Sequence, residues 1–138
     1  MPNRQPRIIV TRNDHARLSA LASAALETHP KMGAFLMEGL SRAKVVAPGK
    51  IGRGVVTMNS RVKFLDDQTG EKRVVTLVYP ADEDVATGRI SVLSSVGGAL
   101  IGLEEGESIS YLEPDGNEKS ITVTKVQYQP ESHGRFDM

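Results

Sequence analysis

Ile90-Ser91-Val92-Leu93-Ser94-Ser95-Val96-Gly97-Gly98-Ala99-Leu100-Ile101-Gly102-Leu103 carries strand, cap, helix and stop signals in one run. The β-branched start predicts a strand over Ile90–Leu93. Ser94 or Ser95 can accept a hydrogen bond from an unpaired first-turn amide and so cap a short helix containing Ala99, Leu100 and Ile101. Gly102 supplies the stop. The mostly apolar part, Val92 to Leu103, is too short and too interrupted to cross a bilayer.

On the C-terminal side, Ser108–Tyr111 and Ile121–Val126 predict a hairpin around Pro114-Asp115-Gly116-Asn117. On the N-terminal side, Val55–Met58 and Arg61–Leu65 are strand-like, the second alternating polar and apolar residues. Asp66–Gly70 is turn chemistry, Arg73–Tyr79 a β-branched return strand, and Pro80 closes it before an acidic loop, Ala81–Gly88. The glycines between Gly49 and Gly54 read as a linker.

Before that linker the period changes from two to 3.6. Ile8-Ile9-Val10 is β-prone, and Asn13 or Asp14 can serve as an N-cap. Leu18, Leu21, Ala22, Ala25 and Leu26 form one apolar helical stripe, stopped at His29-Pro30. A second helix is expected from about Gly33 to Val45, with Leu36, Leu40 and Ala43 on one face. Residues 13–45 therefore predict an antiparallel helical hairpin with arms of about 20 Å. The fold class is α+β: a short N-terminal hairpin (1–48), then an antiparallel β domain with one short helix (49–138).

The 138 residues are 39% hydrophobic and 25% charged, which suits one globular domain or a small domain with an appendage. Seventeen basic residues balance seventeen acidic ones, which argues against a general nucleic-acid coating protein. The charge is uneven: residues 1–50 hold eight Lys/Arg and three acids, residues 51–138 nine and fourteen. The two halves therefore suit different partners, or different faces of one. With no Cys, thiolate metal sites and cysteine nucleophiles are excluded. No signal peptide is visible in Met1–Arg12, and the cytoplasm is the expected compartment.

Catalytic motifs do not emerge. His15, His29 and His133 show no ligand spacing, so no metal site is expected. Ser94 and Ser95 lack a nucleophile elbow. Lys50 falls between the glycines of 49–54, not after them as in a phosphate loop. The acid clusters Asp66-Asp67, Asp82-Glu83-Asp84 and Glu104-Glu105 do not follow a calcium-loop pattern. The residues favour a binding module over an enzyme, with no cofactor.

The Ile90–Leu103 run, its Gly106 turn and the strand from Ser108 to Tyr111 resemble the C-terminal domain of bacterial Gre transcript cleavage factors. Ser95 stands where that family usually has proline. Val55-Val56-Thr57-Met58-Asn59-Ser60-Arg61-Val62, Thr76-Leu77-Val78-Tyr79-Pro80 and Val126-Gln127-Tyr128-Gln129-Pro130-Glu131 look more particularly like the Gre-related Rnk family, the regulators of nucleoside diphosphate kinase. The likeness is strong over 55–131 and covers 8–45 in organisation only.

The resemblance implies an FKBP-like C-terminal domain, a short N-terminal coiled coil, and RNA polymerase as partner at the rim of its secondary channel. In Gre factors a long coiled coil with an acidic tip reaches down the channel and helps hold magnesium. Here the arms are too short, and Glu27-Thr28-His29-Pro30-Lys31 offers one carboxylate beside a lysine, so cleavage activity is not carried over. Prolyl isomerase activity is not expected either: there is no Trp, and Phe64, Tyr79 and Tyr111 suit core packing.

The expected partner-binding residues are Ser94, Ser95, Val96 and Gly97. Arg12, Arg17, Lys31, Arg42 and Lys44 form the expected basic surface of the hairpin. Direct regulation of nucleoside diphosphate kinase, and direct nucleic-acid binding by the basic half, remain as alternatives. In the leading reading, nucleic acid is met only through the transcription complex.

Overall fold

The computed structural model describes residues 7–113 and 115–135. Pro114 of the expected turn and the first six residues lie outside the described residues.

Strand β1 (Ile9–Thr11) runs directly into helix α1 (Arg12–Thr28); after His29, helix α2 (Pro30–Arg42) returns to strand β2 (Lys44–Val46). β1 and β2 pair in parallel, Ile9 opposite Lys44. Thr11, rather than Asn13 or Asp14, is the N-cap: its hydroxyl accepts from the Asp14 amide at 3.0 Å. Pro30 ends α1 as expected but opens α2, where its missing N–H costs nothing. The second helix accordingly starts and ends three residues earlier than expected, and Lys44–Val46 is strand. Gly33 lets the helix backbones touch near the tip, since a Cβ there would lie 2.9 Å from the Leu26 amide nitrogen. Near the base, His15 Nε2 lies 3.2 Å from the Leu40 carbonyl. Leu18, Ala22, Ala25, Leu36 and Leu40 are buried in or beside the seam, whereas Leu26 is exposed.

The second part contains β3 (Arg61–Asp66), β4 (Lys72–Val78), β5 (Arg89–Ser91), α3 (Ser95–Leu100), β6 (Ser108–Leu112) and β7 (Glu118–Tyr128). They form a five-stranded sheet in the order β5-β4-β3-β7-β6. It is mixed, not wholly antiparallel, because β5 pairs with β4 in parallel. The intervening acidic loop supplies the crossover through two short 3-10 turns, Pro80–Asp82 and Val85–Thr87.

The expected strand Val55–Met58 is not a strand. Val55 makes one bridge to Glu104, and the chain turns at Thr57–Ser60 with Asn59 at φ 68°. Left-handed backbone ends ladder pairing, and Asn tolerates it better than most residues. The segment is still fully buried: Val56 pairs with Gly102 and Leu103 through its backbone. The expected linker is likewise tied down, Gly54 accepting from the Glu105 amide at 2.9 Å.

One apolar core runs through both parts. Ile8, Val10, Leu18, Leu36 and Leu40 pack in the same cluster as Val56, Phe64, Leu77, Leu100, Ile121 and Val123. Gly102, at φ 81°, seats against Ile8, and its carbonyl accepts from the Ile9 amide at 3.1 Å. The hairpin base is therefore built into the β domain.

Candidate functional site

The Ser94–Gly97 segment sits where β5 leaves the sheet. Ser94 is the cap: its hydroxyl donates to the Ser91 carbonyl at 2.6 Å and accepts from the Gly97 amide at 3.0 Å. The Gly98 amide donates to the Ser94 carbonyl. The Gly97 and Gly98 amides at the helix start are therefore already paired within the chain. Ser94, Ser95 and Val96 are half-buried and Gly97 is buried, with a hypothetical Cβ 2.0 Å from the Ser91 oxygen. Ser95 Oγ lies 3.9 Å from Met32 Sδ, and Phe35 and Met32 line the approach to Gly98. The segment thus presents Ser94–Val96 beside α2, with Gly97 holding them from behind.

The five basic residues are not one patch. Arg12 and Arg17 on α1, Arg42 at the far end of α2 and Lys44 at the start of β2 belong to the base; Lys31 belongs to the tip. Arg12, Arg17, Lys31 and Lys44 are exposed. Arg42 is half-buried and paired with Glu38, Nε to Oε2 at 2.9 Å. The tip holds Glu27, His29 and Lys31, all exposed. Among the described residues no three His, Asp or Glu side chains gather where they could hold a metal ion.

Sequence reading missed a buried polar joint at the hairpin base. Asp14, 2% exposed, turns its carboxylate to the Met58 amide, which donates to Oδ2 at 3.2 Å. Thr57 donates its hydroxyl to Glu131 Oε1 at 2.8 Å. Ser60 Oγ lies 2.8 Å from Thr57 Oγ1 and accepts from the Thr57 amide. With the Thr57 proton committed to Glu131, Ser60 must donate to Thr57. Tyr79 Oη is buried beside this group and has no hydrogen bond of good geometry among the described residues. Gln129 Nε2 bridges the Gly52 and Val55 carbonyls, at 2.7 Å each.

Burial raises the Asp14 carboxyl from its ordinary 3.8 to about 6; the Met58 amide opposes the shift, Glu131 adds to it, and Arg17 opposes it. Burial also pushes the Tyr79 hydroxyl up to about 12, with Asp14 contributing and Arg17 opposing. The Val55–Val62, Thr76–Pro80 and Val126–Glu131 segments that carried the family likeness thus converge on one joint. The signal was in the sequence, as Thr, Ser, Tyr and Glu within those segments; the carboxylate buried beside them, Asp14, was not legible.

The matched family models divide the chain in the same two parts. Residues 6–46 match the Rnk N-terminus model, and residues 51–128 match the C-terminal model of the transcription elongation factors GreA/GreB. The chain belongs to the Gre family of transcription elongation factors, in its Rnk branch. It is 38% identical to the regulator of nucleoside diphosphate kinase of Escherichia coli strain K12 over 132 residues, 96% of this chain and 97% of that one. It is 40% identical over 79 residues to the transcription elongation factor GreA of Thermodesulfovibrio yellowstonii, covering 57% of this chain and 50% of that factor. A solved prokaryotic transcription elongation factor GreA/GreB from Nitrosomonas europaea superposes with a TM-score of 0.70 at 36% identity, covering 88% of this chain and 99% of that one.

Proposed function

We propose that this chain is a non-enzymatic regulator of transcription elongation that binds RNA polymerase near the secondary channel and competes there with cleavage factors without stimulating cleavage. The observation that carries this reading is a Gre-type body joined to a hairpin whose longer arm is Arg12–Thr28, about 25 Å at 1.5 Å per residue. Such an arm fills a channel mouth but does not deliver a metal-binding tip to a deep active site. Its tip has one carboxylate beside a lysine, whereas a shared divalent ion wants clustered oxygen ligands. Ser94, Ser95 and Val96 form the partner-facing edge, with Gly97 as their support, and the basic hairpin base steers the approach.

The mixed sheet around α3 supports an FKBP-like reading of residues 49–138, attached to the short coiled coil of residues 1–48. The protein acts in the cytoplasm, where its partner is. Among the described residues no helix is long and apolar enough to cross a membrane.

Size-exclusion chromatography with RNA polymerase core enzyme tests the reading. Co-elution is expected, with loss of the complex when a cleavage factor is added. Separate elution at micromolar concentrations would overturn it. The name of the Escherichia coli relative supports a second reading, direct regulation of nucleoside diphosphate kinase. That reading requires a complex between the two purified proteins without polymerase.

A further inference from the structure

The face of the sheet turned away from the core is basic, and its charges are arranged at a cost to the fold. Val62 and Phe64 of β3 point into the core, so Arg61, Lys63 and Leu65 point outward. Their partners on β4 are Thr76, Val74 and Lys72. On β7, Lys63 lies directly opposite Lys125, because the register shifts between Lys63 and Phe64. Thr124 is the extra residue: it and Lys125 are both exposed between the buried Val123 and Val126. The bulge therefore re-aims Lys125 onto the same face as Lys63. Like charges directly opposite across two strands destabilise a sheet.

Little on the molecule offsets them. Lys125 Nζ lies 4.0 Å from Glu105 Oε2, an oxygen that also accepts from the Val126 amide. Arg61 donates to the neutral Gln127 oxygen at 3.1 Å. Among the described residues Arg61, Lys63 and Lys72 make no ion pair. At the β6 side Asp67 keeps its charge, accepts from the Ser120 and Thr122 hydroxyls, and makes no ion pair with these cations.

We propose that this outer face, centred on Arg61, Lys63, Lys72 and Lys125, binds the phosphate backbone of duplex nucleic acid, double-stranded DNA in particular. The face offers Lys, Arg and the Thr76 hydroxyl, the groups that contact phosphate oxygens. The aromatic beside these residues, Tyr128 opposite Arg61, is half-buried with its ring already stacked on His133 at 4.8 Å, so bases find no free ring to stack on and a single strand gains no preference. An acidic protein partner would want an aromatic anchor, whereas the outward apolar residues among these cations are the aliphatic Leu65 and Val74, and Tyr128 is held against His133. The size fits. From Arg61 to Leu65 is about 13 Å along the strand, and β4 to β7 about 10 Å across. A duplex carries one charge per about 1.7 Å of axis, so about eight phosphates span that length and about half face one side. That is the number of cations present.

This surface lies outside the Ser94–Val96 edge and the hairpin, and its test needs no polymerase. Full-length protein is titrated into a fluorescent duplex of about twenty base pairs while salt is raised from about 50 to about 200 mM. The expected result is weak, sequence-independent binding with a log–log salt slope of about −3 to −4. Lys63→Gln with Lys125→Gln should weaken binding at least about tenfold at the low-salt end and reduce the slope by about two. The denaturation midpoint of that variant should equal or exceed the parent's, since a repulsive pair is removed. Arg61→Gln with Lys72→Gln should weaken binding similarly and covers the case of a variant that does not fold. Arg12→Gln with Lys31→Gln on the hairpin should leave binding unchanged. Absence of duplex binding, binding by both sheet variants as tight as the parent's, or equal affinity for polyglutamate would each overturn the proposal, the last by making the partner an acidic polypeptide.

Discussion

The Met58 amide donates to Asp14 Oδ2 across 3.2 Å, joining the first turn of α1 to the buried turn that precedes β3. Local sequence gives Asp14 a role as a helix-start residue, and its backbone amide does take the Thr11 cap. Its side chain instead serves a residue 44 positions away. Hairpin and sheet are thereby coupled through a carboxyl group that burial raises to about 6.

Asp14 sets the first expected outcome. Its folded-state value, about 6, lies above the ordinary 3.8. Between those values the native state binds more protons than the unfolded chain, so this group makes stability fall as pH rises from about 4 to about 6. The loss is on the order of 3 kcal/mol at most. Asp14→Asn keeps an oxygen for the Met58 amide and removes the titration. Urea midpoints measured across that window should fall less steeply in the variant; identical slopes would place the proton elsewhere.

Two adjacent glycines should respond differently to alanine. A Cβ at Gly97 would sit 2.0 Å from the Ser91 carbonyl oxygen, whereas one at Gly98 meets nothing closer than 3.3 Å. Gly97→Ala is expected to cost about 3 kcal/mol or more through overpacking. Gly98→Ala should stay within about 1 kcal/mol, because the better helix propensity of alanine offsets the tight contact. Chemical denaturation of the two variants checks the contrast. Gly97 variants are consequently unsuitable probes of a binding surface; Ser95→Arg is the better one, and should weaken polymerase binding with the fold intact.

Correcting the tip charge should not create a cleavage factor. His29→Asp with Lys31→Glu supplies three carboxylates near the tip together with Glu27, yet the arm stays about 25 Å long. Stalled elongation complexes treated with this variant should yield no more shortened transcript than with the parent. Stimulated cleavage would show that reach is not limiting.

Removing the hairpin should unfold the remainder. Residues 46–138 alone would lose Ile8, Val10, Leu18, Leu36 and Leu40 from the common core, each worth about 1.5–3 kcal/mol when buried. Typical domain stability is only about 5–15 kcal/mol. Circular dichroism of that fragment should show no cooperative melt. A sharp transition would mean that the two sequence parts are also independent folding units.

Elements specified by neighbours in sequence were legible. The α1 stripe, the Pro30 break, the alternation of β3, the β-branched run of β4 and a cap at Ser94 or Ser95 each arise within one or two turns or strand residues, where periodicity and capping chemistry act. Val55–Met58 misled because β-branched residues suit any buried extended segment, and a ladder also requires a partner strand along its whole length. Leu26 continued the stripe by spacing, but the α1–α2 crossing leaves that position outside the seam.

The sequence alone determined the α+β class, the two family-matched parts and a tip with one carboxylate beside a lysine, and it nominated Ser94–Gly97 as the candidate edge. Tertiary structure decided three further matters. It made Gly97 a packing residue, folded both parts around one core, and set Lys63 opposite Lys125 through a bulge no periodicity announces. These depend on contacts between residues far apart along the chain, which local propensity does not encode. The burial that defines the Asp14 joint exists only once the hairpin base has closed on the sheet.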